Sequence, residues 1–131
     1  MTDPSTVTTL ATSAAGFLGR VLLALPFVVA LALEAGPTRT IDVTLSRYAF
    51  SPERIEVRVG EVVRLNIVSA DGAHGFQVKE LGLNAPIPAG GKPVTIELTP
   101  REAGTFRIRC SEYCGRGHGR MTATLIVTPG T

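Results

Sequence analysis

Residues 105–127 read TFRIRCSEYCGRGHGRMTATLIV. At the start of this stretch Phe106 and Ile108 alternate with polar neighbours, and near its end so do Leu125 and Val127. Apolar residues at every second position are the signature of a half-buried strand. Thr105–Arg109 therefore reads as a strand leading into Cys110, and Met121 begins the last strand, which runs through Leu125, Ile126 and Val127. The loop between them holds both cysteines of the chain, one of its two histidines and one of its two methionines. A loop gripped by two strands is held tightly enough to serve as a metal site.

Period two continues upstream. Ile41, Val43 and Leu45 alternate, then Ile55, Val57 and Val59, then Val63, Leu65 and Ile67, then Val94, Ile96 and Leu98. Turn signals separate these runs at Val59-Gly60-Glu61, Asp71-Gly72, Ala89-Gly90-Gly91 and Ala103-Gly104. Nothing after residue 37 has helical periodicity. The reading is an all-β fold of seven or so short strands, an antiparallel Greek-key sandwich spanning residues 38–131, with Tyr48 and Phe50 in its core.

Ahead of it, residues 1–13 are Thr- and Ser-rich and read as disordered, and residues 34–37 are a short linker. Between them, residues 14–33 read AAGFLGRVLLALPFVVALAL, with Arg20 the only charge. About 20 apolar residues suffice for one transmembrane helix. Arg20 sits where it can snorkel, and Pro26 kinks such a helix without forbidding it. The competing reading is a signal peptide with its apolar core at residues 21–33 and Ala30-Leu31-Ala32 as the cleavage site. Either delivers residues 38–131 outside the cytoplasm. Lys plus Arg is 13 against 11 Asp plus Glu, which excludes the charge signature of a nucleic-acid binder. Two cysteines make at most one disulfide.

Cys110, Cys114, His118 and Met121 offer thiolate, imidazole and thioether on one loop, a set that suits copper with a weak axial Met. A single blue-copper site needs one Cys; two thiolates can bridge two coppers, and each copper then needs an imidazole. The other histidine is His74, on the loop that opens the strand after Arg64–Ser69. Three bland readings stand beside this one. The cysteines alone suit a disulfide in an oxidising compartment. Cys2His2 suits zinc. Met121 suits core packing, and the loop arginines suit a solvated rim.

C-S-E-x-C-G-x-x-H-x-x-M, with H-G-F upstream, resembles the binuclear CuA domain of the cytochrome c oxidase subunit II family over roughly residues 38–129. The resemblance implies a cupredoxin fold and two coppers bridged by Cys110 and Cys114. It implies that His74 and Met121 complete one copper, and His118 and the carbonyl of Glu112 the other. The Glu112 carboxylate matches a position that in many members helps hold magnesium at the boundary with subunit I. The implied role is an electron-entry subunit in the cell membrane, single-pass, with its copper domain on the extracytoplasmic side. It takes electrons from cytochrome c or a similar donor to a haem in subunit I. Its alternative is a stand-alone exported copper protein, either an electron carrier or a copper-delivery protein. The chain departs from the family in two ways. It offers one span at most where many members have two, resembling the shorter single-helix form. It also has no Trp for the donor-docking patch, leaving Tyr48 or Tyr113 as aromatic surface, with Arg107, Arg109, Arg116 and Arg120 making the loop region basic.

Overall fold

Alternation along the chain resolves into two sheets, because each strand has one apolar face to bury and the two faces cover each other. The computed structural model describes residues 36–131. The 1–13 segment, the 14–33 span and the start of the 34–37 linker lie outside the described residues. Among the described residues no helix is long and apolar enough to cross a membrane.

The strands are β1 (Arg39–Ser46), β2 (Ala49–Ser51), β3 (Arg54–Arg58), β4 (Val63–Ser69), β5 (His74–Val78), β6 (Leu83–Ile87), β7 (Val94–Leu98), β8 (Gly104–Arg109) and β9 (Thr122–Thr128). One sheet has the order β2-β1-β4-β7 and the other β3-β9-β8-β5-β6. Val43, Leu45, Val63, Leu65 and Ile67 of the first sheet face Ile55, Val57, Phe76, Ile108, Leu125 and Val127 of the second, all nearly or fully buried. Phe50 and Phe76 meet edge to face across the sheets, centroids 6.1 Å apart. That contact seals the core just below the start of β5.

Three expectations are corrected. Two strands escaped the alternation pattern. β2 has only three residues, and β6 carries Asn84 and Pro86, which weaken a strand signal and which an edge strand tolerates. The sandwich is mixed rather than antiparallel, since β1 runs parallel to β4 and β3 parallel to β9. Both parallel pairs arise because the chain leaves one sheet and re-enters it from the same end. Phe50 is buried as expected, but Tyr48 is 39% exposed because it sits in the β1–β2 turn, outside the sandwich.

Pairing of β5 with β8 is antiparallel, with Gln77 opposite Arg109. The first residues of β5 therefore run past the residues that follow β8. This register, and not sequence proximity, brings His74 to Cys110.

Ile108 is fully buried at the centre of the second sheet. Ile108→Ala is expected to lower the unfolding free energy by about 2–5 kcal/mol, against less than about 0.5 kcal/mol for Thr105→Ala on the exposed face, as urea melts followed by circular dichroism will measure.

Candidate metal centre

Residues 110–121 close the gap between β8 and β9 as a tight loop. Cys110 N–H donates to Met121 O at 3.2 Å, tying the loop's ends together. A 3-10 turn at His118–Arg120 shortens it, with His118 N–H donating to Gly115 O at 3.0 Å and Met121 N–H to His118 O at 3.1 Å. Gly115 has φ +130°, a conformation that L side chains rarely adopt.

The curl turns the donor side chains inward. Cys110 Sγ and Cys114 Sγ lie 3.7 Å apart, too far for a disulfide, whose sulfurs sit at about 2.05 Å. Both thiols are buried. Beside Cys110 lie His74 Nδ1 at 3.8 Å and Glu112 O at 3.1 Å. Beside Cys114 lie His118 Nδ1 at 3.8 Å and Met121 Sδ at 3.7 Å. All six predicted site residues thus meet at one end of the sandwich. The Glu112 carboxylate is the exception in orientation: the residue is exposed, and only its carbonyl faces the sulfurs. The donor atoms of His74, Cys110 and Cys114 lie within 4.8 Å of one another, and His118 joins through Cys114.

His74 is fully buried and its ring is oriented from behind. Nε2 is 2.6 Å from Asp71 Oδ1, so Nε2 carries the proton and Nδ1 presents its lone pair to the sulfurs. Asp71 is held in turn by N–H groups of Gly72 at 2.7 Å and Arg47 at 2.8 Å. The His74 bond, followed by the Arg47 N–H, keeps the Asp71 carboxyl down at about 2. Burial, and then the neighbouring Cys110 thiol, push the Cys114 thiol up to about 11. The thiol pair is thus protonated when no cation is near, and binding a cation releases protons.

Sequence reading missed the brace on this loop. Arg47 Nε donates to Cys114 O at 3.1 Å, while Arg47 N–H holds Asp71. One residue of the β1–β2 turn therefore links the His74 side of the site to the Cys114 side. The next residue, Tyr48, lays its ring on Gly115 and Gly117; a Cβ on Gly115 would come within 2.5 Å of its hydroxyl. The only sequence sign of Asp71 was its place in an Asp-Gly turn, and Arg47 gave none.

A buried, unbonded pair of thiols flanked by imidazoles, a thioether and a carbonyl fits copper, which takes soft sulfur and imidazole ligands. Comparison with known proteins agrees with this donor chemistry. The profile of the cupredoxin-like domain matches residues 19–127. Cytochrome c oxidase subunit 2 of Thermus thermophilus is 33% identical over 96 residues, covering 72% of this chain and 70% of that protein. A second subunit of that name, from another Thermus thermophilus strain, gives the same identity but is covered over 56% of its length. The crystal structure of the periplasmic domain of subunit II of cytochrome oxidase from Bradyrhizobium japonicum shares the fold, with a TM-score of 0.61 and 20% identity, over 70% of this chain and 84% of that one.

Gly75 is where β5 touches the loop. Its N–H points at Cys110 Sγ from 3.5 Å, and a Cβ there would lie 2.8 Å from the backbone nitrogens of both Ser111 and Glu112. Gly75→Ala is expected to lift the loop and expose the thiols. Their reaction with a disulfide reagent in the metal-free chain should accelerate at least about tenfold, matching about 1–3 kcal/mol of overpacking. Gly119→Ala, with open space at its Cβ, should leave the rate unchanged.

Proposed function

The chain belongs to the cupredoxin-like domain family and to the cytochrome c oxidase subunit 2 family, and from that premise we propose that it is the electron-entry subunit of a haem-copper terminal oxidase. It accepts electrons from cytochrome c or a similar donor at a binuclear CuA centre and passes them to a haem in subunit I. The chain is part of an enzyme complex and carries no substrate chemistry of its own.

The observation that carries this reading is the division of the terminal donors, two beside each sulfur. His74 Nδ1 and Glu112 O flank Cys110, and His118 Nδ1 and Met121 Sδ flank Cys114. The proposed pairs, His74 with Met121 and His118 with Glu112 O, therefore each take one donor from either sulfur's side. That is what a pair needs in order to close on an ion held between both sulfurs. A single tetrahedral zinc needs its four donors around one point, whereas His118 stands outside the close set formed by His74, Cys110 and Cys114.

When bound, the copper pair supplies one-electron transfer with the charge shared over two ions. The protein's residues do the rest. Cys110 and Cys114 lose their protons and bridge. Asp71 keeps the His74 Nδ1 lone pair facing inward. Burial of His74, both cysteines and Met121 excludes water and leaves no room for a substrate. A stiff sandwich resists movement of the donors between oxidation states. Tyr113, 77% exposed with its ring 5.8 Å from His118, supplies the aromatic contact for the incoming donor. The exposed Glu112 carboxylate serves magnesium at the subunit I boundary. Residues 14–33 anchor the chain in the cell membrane with the copper domain on its extracytoplasmic side.

Copper-loaded full chain is expected to be purple, with a multi-line copper hyperfine pattern in electron paramagnetic resonance. Cys110→Ser or Cys114→Ser should abolish that pattern, His74→Ala should perturb it while the fold persists, and Met121→Leu should keep copper and shift the potential. A four-line spectrum with an intense blue band, meaning one copper, overturns the binuclear assignment.

A further inference from the structure

Lys79, Arg107 and Arg109 stand around a concave surface of about 550 Å³ on the outer face of β8 and β9, lined also by Thr105, Thr122 and Thr124. Register sets Arg107 opposite Thr124 and Arg109 opposite Thr122, so the two guanidinium groups project from one face of β8. Alternate residues of a strand are about 6.6–6.8 Å apart, which makes a row of charge and not a single pocket. The row ends at the metal loop, because Arg109 precedes Cys110 and Thr122 follows Met121. Arg116 and Arg120, both exposed, carry positive charge onto that loop.

Carboxylates do not offset this row. Glu80 lines the groove and Glu112 lies on the loop, but neither is within ion-pairing distance of these cations. Elsewhere arginines are matched: Arg39 with Glu61 at 2.9 Å, Arg54 with Glu56 at 2.8 Å and Arg64 with Glu97 at 3.4 Å. Among the described residues Lys79, Arg107, Arg109, Arg116 and Arg120 have no such partner. Clustered like charge at one end of a domain steers a partner of opposite sign toward that end.

We infer that this groove is the docking surface for an acidic electron-donor protein, whose carboxylates pair with Arg107, Arg109 and Lys79. The inference rests on the electron-entry reading and names its donor's chemistry. The extended row favours a protein surface over a small anion, which one or two cations satisfy. A donor seated there lies alongside the loop that carries Cys110, Cys114, His118 and Met121.

The test uses the full chain, copper-free, in a zwitterionic detergent. The probes are a soluble c-type cytochrome of acidic isoelectric point, one of basic isoelectric point, and glycerol 3-phosphate as a lipid-headgroup mimic. The acidic cytochrome is expected to shift the backbone amide resonances of Thr105, Arg107, Arg109, Thr122 and Thr124. Its affinity should fall about tenfold as salt rises from about 0.02 M to about 0.2 M. Arg107→Glu combined with Arg109→Glu should weaken it at least about tenfold, and Arg101→Glu, outside the groove, by less than about twofold. Preference for the basic cytochrome, shifts confined to other faces, or equal binding of glycerol 3-phosphate each overturn the inference. The copper-loaded spectrum is read separately. Docking without a binuclear spectrum sinks the copper reading alone, and the spectrum without docking sinks the groove alone.

Discussion

Gly75 allows the first residues of β5 to run directly against the backbone of Ser111 and Glu112, and the metal end depends on that approach. With the two segments in contact, a histidine 36 positions upstream of Cys110 puts its Nδ1 beside the sulfur. The same approach aims the Gly75 N–H at that sulfur. A side chain at this point would part the two loops, and the imidazole and thiols would then belong to separate surfaces. Everything else at this end either holds the contact in place or uses it.

Three layers hold it. The sandwich core beneath is closed by Phe50 on Phe76, one residue past Gly75. From the side, Arg47 reaches both halves of the site, and Tyr48 covers the two loop glycines. From behind, Asp71 sets which nitrogen of His74 faces inward. Each layer removes a freedom the donors would otherwise have, so the geometry exists before any ion arrives. Burying two thiols together is costly in the absence of a cation, and the raised Cys114 thiol records that cost. A site strained toward accepting positive charge therefore sits beside a surface already rich in it, Arg107 and Arg109 facing outward while the donors face inward.

Much of this was legible in the sequence. Donor identity and spacing were, because four donors lie on one contiguous loop between two alternating strands. His74 was reached by elimination, as the only other imidazole. The braces were not. Arg47 is 24 residues from Asp71 and 67 from Cys114, and a lone arginine in a turn carries no local mark of such contacts. β6 was hidden by Asn84 and Pro86, residues poor in strands generally and harmless on this edge. Tyr48 read as core because aromatic residues near strands usually are, yet its turn carries it out over the metal loop.

By itself the sequence determined that the chain is strand-rich after residue 37, that its soft donors form one loop, and that copper suits them. These are properties of short windows: alternation with period two, and ligand types a few residues apart. Only the tertiary structure decided which strands pair and in which direction, that His74 arrives beside Cys110, that Glu112 turns its carbonyl and not its carboxylate to the sulfurs, and that the arginines of β8 share one face with the threonines of β9. Strand pairing joins residues far apart in the chain, and a strand's local pattern is the same whichever neighbour it takes.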